Sequence, residues 1–190
     1  MGLPDLNDEQ LVEGLRDGKE EAWVLLYRRH QGRIYRFALH MGGSEALAQD
    51  AVQETFLAFL KRADRWDAAR GALSNFLLGI ARNKMLRLLK QENQHSELEP
   101  GAVFEHPGAT PAEELLRRQS HDRVQRAVLG LPTAYREALV LCDLQELDYA
   151  EAARILECPV GTVRSRLHRA RQILSERLRD LVALGAEAKR

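Results

Sequence analysis

The chain predicts an all-α protein built as two small helical domains joined by an extended acidic linker. Three observations carry this reading. Helix formers dominate the 190 residues, β-branched residues are sparse and no alternating apolar strand run occurs. Several long stretches repeat apolar residues at helical spacing. Between them, Glu92 to Thr110 has little periodicity and holds Pro100, Gly101, Pro107 and Gly108, the composition of a linker. The length suits one or two domains with real cores.

The elements follow in order. Asp8 to Asp17 begins with acidic residues, as a helix N-terminus prefers. Glu20 to His40 carries Ala22, Trp23, Leu26, Tyr27, Ile34 and Phe37 at helical spacing, and Glu45 to Ala63 carries Leu47, Ala51, Val52, Phe56 and Phe59. In the helix from Ser74 to Gln91, Leu77, Leu78, Ala81, Met85, Leu88 and Leu89 share a broad apolar face. Asn83, Lys84, Arg87 and Lys90 share the opposite one, with Phe76 at the N-terminal end. Arg82 falls among the apolar positions and must snorkel or find an acid. Each helix can bury one face, which predicts a bundle. After the linker come helices over Pro111 to Leu129, Thr133 to Leu144, Tyr149 to Leu156 and Pro159 to about Leu184. The domains are therefore expected at residues 1–92 and 112–186, with the linker at 93–111.

The last helix is the most informative stretch. Between Val160 and Arg171 lie four arginines and no acid. At about 100° per residue, Val163, Leu167, Ala170, Leu174, Leu178 and Leu181 fall on one face. Arg164, Ser165, His168 and Arg169 fall opposite, with Arg166 and Arg171 on the flanks. Pro159 suits the first helical position, where a missing N–H costs nothing. Asp148 and Glu151 have capping-box spacing and start a short helix ending near Leu156, with Glu157 and Cys158 as the turn. Helix, tight turn and basic helix is how many proteins place side chains in the DNA major groove. The plainer alternative is an amphipathic surface helix with solvated arginines.

A second candidate surface precedes the Ser74 helix. The loop from Arg65 to Ser74 combines Trp66, Arg65, Arg70 and Gly71. Cations beside aromatic rings suit single-stranded DNA, because bases stack on rings while cations follow phosphates. Trp66 and Phe76 read equally well as core residues.

Net charge is zero, with 28 basic and 28 acidic residues, which is unusual for a DNA-binding chain. The charge is segregated, however. From Gln91 to Leu116 there is no Lys or Arg, but Glu92, Glu97, Glu99, Glu105, Glu113 and Glu114 are present. That pattern predicts weak DNA binding alone, with affinity supplied by a partner. Cys142 and Cys158 lack zinc-site spacing and read as a core residue and a turn residue, so no metal or cofactor is expected. No apolar run reaches the length of a membrane span and Met1 to Asn7 carries no signal pattern, so a cytoplasmic protein without membrane insertion is expected. No GxSxG, P-loop, HExxH or paired-carboxylate arrangement occurs, which argues against an enzyme. His30, His40, His95, His106, His121 and His168 are scattered. A stand-alone helix-turn-helix regulator would need a phosphoacceptor or ligand domain, and the N-terminal half has the pattern of neither.

Three blocks of sequence bear a resemblance. Leu131-Pro-Thr-Ala-Tyr-Arg136, followed by the run from Pro159 to Arg171, resembles region 4 of the bacterial sigma-70 family of sigma factors, in its extracytoplasmic-function group. Asp50-Ala-Val-Gln-Glu-Thr-Phe56 is similar to its region 2.2. Asp67 to Gly71, with Ile80-Ala-Arg-Asn83, is similar to regions 2.3 and 2.4. The resemblance implies promoter-specific transcription initiation with core RNA polymerase as partner, bound through the β′ clamp and the β flap. Asp50, Gln53, Glu54 and Phe56 fall in the segment that binds the clamp. Arg65, Trp66, Arg70, Ser74, Asn75, Phe76, Asn83, Lys84 and Arg87 would capture and melt the −10 element of promoter DNA. Arg164, Ser165, His168 and Arg169 would face the bases of the −35 element. Arg166 and Arg171 would hold phosphates, as would the backbone near Gly161 and Thr162. An inhibitory anti-sigma factor is implied as a further partner, covering the apolar and polymerase-binding surfaces of both domains. Two departures stand out: Phe76-Leu77 occupies the place of the family's Trp-Leu, and Arg87 stands where Asp is common.

The linker passes a length test. Two elements about one and a half DNA turns apart lie roughly 50–55 Å from each other. Twenty residues, Glu92 to Pro111, span at most ~66–72 Å extended and average only ~22–27 Å as random coil. Both elements are reached only with the linker held extended. The resemblance implies a path through the polymerase channel used by RNA, and an acidic tract fits a channel built for phosphates. Replacing the six glutamates with glutamine is expected to change initiation or promoter escape in a transcription assay; unchanged transcription would reject the role.

Overall fold

Chain order begins with a reciprocal cap. The Asn7 side chain accepts from the Gln10 amide at 2.9 Å, and the Asn7 amide donates to Gln10 Oε1 at 3.1 Å. This satisfies two of the donors that every helix start leaves open. The computed structural model describes residues 6–95 and 122–187, with side-chain surroundings for 6–91 and 122–179. Among the described residues the chain is helical, with no strand. Its contacts divide it into two compact units, Met1–Leu39 with Ala46–Ser96, and His40–Glu45 with Glu97–Arg190.

The first unit contains α1 (Asp8–Arg16), α4 (Leu73–His95) and all but the adjoining ends of α2 (Glu20–Gly42) and α3 (Glu45–Leu60). Its core is built from the apolar positions that the periodicity marks. Leu11, Leu26, Ile34, Phe37, Phe56, Phe59, Leu77, Leu78 and Met85 are buried. Burying each such side chain stabilises by about 1.5–3 kcal/mol. Asp8 at the start of α1 pairs with Arg29 at 2.7 Å and lies 3.0 Å from His30. Burial pushes the Asp8 carboxyl upward, but the bonds and charges of His30 and Arg29 outweigh it and hold the group below its ordinary range.

The ends of α3 and α4 differ from expectation by several residues. α3 stops at Leu60 instead of Ala63, and a 3-10 turn follows over Ala63–Arg65. The cause is tertiary: the Arg16 guanidinium donates to the carbonyls of Ala63 at 2.8 Å and Trp66 at 3.1 Å, which calls for a turn there. α4 runs past Gln91 to His95, because no proline or glycine interrupts it before Pro100. The rest of the expected linker, and the beginning of the helix expected from Pro111, lie outside the described residues.

The second unit contains α5 (described over 122–129), α6 (Thr133–Leu139, continued by a π turn over Val140–Leu144), α7 (Tyr149–Leu156) and α8 (Val160–Glu187). The expected helix from Thr133 to Leu144 is present, with its last turn widened so that the Gln145 amide bonds the Val140 carbonyl. Arg136 is half-buried and donates to the carbonyls of Leu129 and Leu131, tying α5 to α6. The expected capping box is formed: Glu151 N–H donates to Asp148 Oδ1 at 2.7 Å, and Asp148 N–H donates to Glu151 Oε2 at 3.1 Å. Glu157 ends α7 in the left-handed region at φ 52°, a conformation that favours glycine. Pro159 sits one residue earlier than expected, as the cap of α8 instead of its first residue. Its carbonyl accepts the amides of Thr162 and Val163. α8 packs on α6 and α7.

Asp148→Ala is expected to lower stability by about 1 kcal/mol through the lost cap. Urea unfolding of the variant reads this directly; a change below measurement error would show that the box is idle.

Candidate nucleic-acid interface

α8 presents its basic face because its apolar face is used up. Val163, Leu167 and Ala170 are at most 2% exposed, and Leu174 and Leu178 are half-buried. Helical geometry then turns Arg164, Ser165, His168 and Arg169 outward, and all four are exposed. Thr162 is half-buried in the first turn, where its carbonyl accepts the Ser165 hydroxyl at 3.0 Å.

Each arginine of this helix has a distinct partner. The Arg164 guanidinium lies 5.6 Å from the centroid of the Tyr149 ring. Arg166 is half-buried and reaches the Cys158 sulfur at 3.9 Å. Arg169 donates to the Gln172 side chain at 3.0 Å. Arg171 forks onto Asp143, with bonds of 3.0 and 2.6 Å to the two carboxylate oxygens. That bond raises the Arg171 pKa above its ordinary value. Arg171 is therefore held between α8 and the π turn, with its fork committed to a carboxylate. The sequence reading of a free flanking cation did not include this pair. Asp143 lies 28 positions away, and no local spacing signals it.

The loop between α3 and α4 resolves the two readings of Trp66 towards the core. Its ring is 8% exposed and its indole N–H donates to the Gly71 carbonyl at 3.2 Å. Trp66 thus shapes the loop from inside and presents no open stacking face. Asp67 caps the 3-10 turn Ala68–Arg70 by accepting the Ala69 amide. This turn leaves Arg65 and Arg70 exposed. Ser74, Asn75 and Phe76 are half-buried, and the Phe76 ring meets Phe59 edge-on at 6.3 Å. Along α4, Asn83 and Arg87 are exposed. Arg82 is half-buried and reaches the Asn83 side chain at 3.5 Å. Lys84 is engaged by Glu54 of α3 at 2.6 Å. This hydrogen bond, with the charge of Lys84 and the weaker fields of Arg87 and Lys61, keeps the Glu54 carboxyl below its ordinary range.

Also on α3, Asp50 and Gln53 are exposed while Phe56 is 2% exposed. Phe56, which the resemblance puts in the polymerase-binding segment, is thus largely covered, and its ring is part of the wall behind the exposed side chains. It meets Trp23 edge-on at 5.5 Å and Tyr27 at 4.8 Å. These rings floor a groove of about 550 Å³ between α2 and α3, bordered by Tyr35, Gln53 and Leu57. Leu57 is 45% exposed, an apolar side chain on this rim that the sequence reading did not single out. Its signal was present in retrospect: Gln53 and Leu57 lie one helical turn apart on the face beside Phe56.

No cluster of three or more His, Cys, Asp or Glu suited to a metal occurs among the described residues. Burial, with the neighbouring Asp143, pushes the Cys142 thiol up to about 11, so at neutral pH it is a protonated and weakly nucleophilic group.

Comparison with known proteins agrees with this division. Residues 26–95 match Sigma-70 region 2, and residues 121–174 match Sigma-70, region 4. The chain is 33% identical to the ECF RNA polymerase sigma-E factor of Escherichia coli K12, over 93% of this chain and 97% of that one. It is also 33% identical to the ECF RNA polymerase sigma factor SigE of Mycolicibacterium smegmatis, over 85% of this chain, but spans only 62% of that protein's length. Its structure is similar to the sigma factor RpoE of Bartonella quintana, solved in complex with the anti-sigma factor NepR. The TM-score is 0.65 at 25% identity, over 86% of this chain and 98% of that one.

The burial pattern separates wall from surface in a measurable way. Phe56→Ala is expected to cost about 3–5 kcal/mol of unfolding free energy, and Gln53→Ala less than about 0.5 kcal/mol. Denaturant titration of both variants checks this; similar small losses would show that the Phe56 ring is not a structural anchor.

Proposed function

The chain belongs to the sigma-70 family of RNA polymerase sigma factors, in the extracytoplasmic-function group, and from that we propose how its parts divide the work of promoter-specific transcription initiation. Members of this family are initiation factors, not enzymes. The observation that carries the division is the geometry of α8. Its apolar stripe is buried while Arg164, Ser165, His168 and Arg169 are exposed together. This supports the second unit as the reader of the −35 element in duplex form. Arg164 and Arg169 are the central base readers. Arg166 and the helix start near Thr162 serve phosphates, and Arg171 joins them by exchanging Asp143 for a phosphate oxygen.

The first unit handles the −10 element. Arg65 and Arg70 on the exposed loop, with Asn83 and Arg87 along α4, form its basic surface. Ser74, Asn75 and Phe76 line the helix start beside it. Trp66 holds the loop's shape, and Lys84 contributes when it leaves Glu54. Asp50, Gln53 and Glu54 on α3 supply the polymerase-facing surface, backed by Phe56. This assignment is supported by the pairing of Glu54 on α3 with Lys84 on α4, which brings the two sets of candidate residues to helices in contact. Domain limits of 1–92 and 112–186, with an acidic tether at 93–111, fit this division.

Core RNA polymerase and promoter DNA are the working partners. An anti-sigma factor is a further one, as for the Bartonella relative, whose complex contains such a protein. No helix among the described residues is long and apolar enough to cross a membrane, and work with core polymerase places the chain in the cytoplasm. The net charge of zero fits weak binding to DNA in isolation, with most affinity coming through polymerase.

The test is runoff transcription with core polymerase on a promoter library. Wild-type protein should initiate at specific promoters and co-purify with core polymerase. Arg169→Ala should lower −35-dependent initiation by roughly 5- to 150-fold, the equivalent of the ~1–3 kcal/mol that a bidentate arginine–guanine contact supplies. Polymerase binding should be unaffected. Failure to co-purify with polymerase would sink the sigma reading, whereas equal loss on promoters with and without a matched −35 element would reject only the base-reading role.

A further inference from the structure

Tyr149 is the first residue of α7 and follows the capping residue Asp148. The reciprocal bonds between Asp148 and Glu151 fix the backbone at this point. The ring is 37% exposed, so it lies at the surface beside the basic face of α8. The Arg164 guanidinium sits over it, 5.6 Å from the ring centroid. An arginine has several rotatable bonds and, left free, must be ordered when it binds. A ring that attracts the cation through its quadrupole supplies some of that order in advance.

A cation–π contact and base reading are compatible for the same guanidinium. A cation–π contact is made by the charge over the ring and takes up no N–H donor, while hydrogen bonds to a base use the N–H edges in the guanidinium plane. The other arginines of the helix are tethered differently, Arg169 by an amide oxygen and Arg171 by a carboxylate. Those contacts consume N–H edges and must be exchanged when the edges turn to DNA. The Tyr149–Arg164 contact can persist in the bound state.

We propose that Tyr149 is a positioning residue for Arg164, holding its guanidinium towards the DNA and thereby setting discrimination at one base pair of the −35 element without touching a base. This rests on the reading of α8 as the −35 helix. The hydroxyl is not required for the role; the aromatic face is.

The experiment uses the full chain with core polymerase in runoff transcription. Promoters carry every single-base substitution across the −35 element. Wild type is compared with Tyr149→Phe, Tyr149→Leu, Arg164→Ala and the double variant Tyr149→Leu with Arg164→Ala. Arg164→Ala should abolish discrimination at one position. Tyr149→Leu should reduce discrimination at that same position by about two- to fivefold, the factor a surface cation–π contact supports. Tyr149→Phe should retain it, and the double variant should match Arg164→Ala alone. Thermal unfolding confirms that α7 stays folded, and Tyr149→Gln serves as a second ring-less variant if leucine disturbs it. The proposal is overturned if the ring-less variants keep full discrimination, lose it evenly across all positions, or add their loss to that of Arg164→Ala. If Arg164→Ala itself leaves every −35 preference intact, the reading of α8 fails, and the positioning role falls with it.

Discussion

Burial of Val163, Leu167 and Ala170 beneath α8 is the constraint on which the interface depends. A helix with one face removed from water has no rotational freedom about its axis. Its other face is then chosen by geometry, and the arginines on it need no further instruction to point outward. The tight turn at Glu157 and Cys158 adds the second restriction, since it sets α8 directly after α7. Glu157 is held in a left-handed backbone conformation to make that turn. A strained residue at the corner is tolerated because the packed helices on either side determine where the chain must go.

Charge is managed by pairing instead of by excess. Arg171 is met by Asp143, Lys84 by Glu54 and Arg29 by Asp8. Pairs at the surface contribute little to stability, because solvent screens them and both side chains must be ordered. Their effect on binding is larger. A cation already engaged by a carboxylate releases fewer counterions from DNA and must exchange partners to bind a phosphate. Each such pair therefore lowers the affinity expected for DNA in isolation, which is the physical basis of the weak binding proposed for the free chain. A protein with equal numbers of acids and bases can still present locally basic faces on this principle.

The two units use aromatic residues in opposite ways. In the first, Trp23, Tyr27 and Phe56 form a cluster that floors a groove, and Trp66 is drawn inside by its bond to Gly71. In the second, Tyr149 remains at the surface under a guanidinium. An aromatic close to arginines in the fold thus has no single meaning. What decides it is whether a carbonyl or an apolar neighbour lies within reach to take the ring inside.

Much of the fold was legible in the sequence. The helices α1, α2 and α7, the capping box at Asp148 and the exposed quartet on α8 follow from periodicity and capping chemistry, which act within a few residues. The family resemblance located the candidate surfaces for the same reason, since its motifs are short runs. What sequence could not supply were relations between distant positions. The end of α3 depends on Arg16 reaching the Ala63 carbonyl across 47 positions, and the state of Arg171 depends on Asp143 across 28. Whether Trp66 and Phe56 were surface or wall also required the packed neighbours that cover them. The sequence by itself determined an all-helical chain, the turn before α8 and the face that α8 turns outward, because local spacing and the hydrophobic effect suffice for those. Only the tertiary structure decided which arginines are committed to carboxylates, which rings are inside and which aromatic lies under Arg164, because such contacts depend on the three-dimensional approach of segments far apart along the chain.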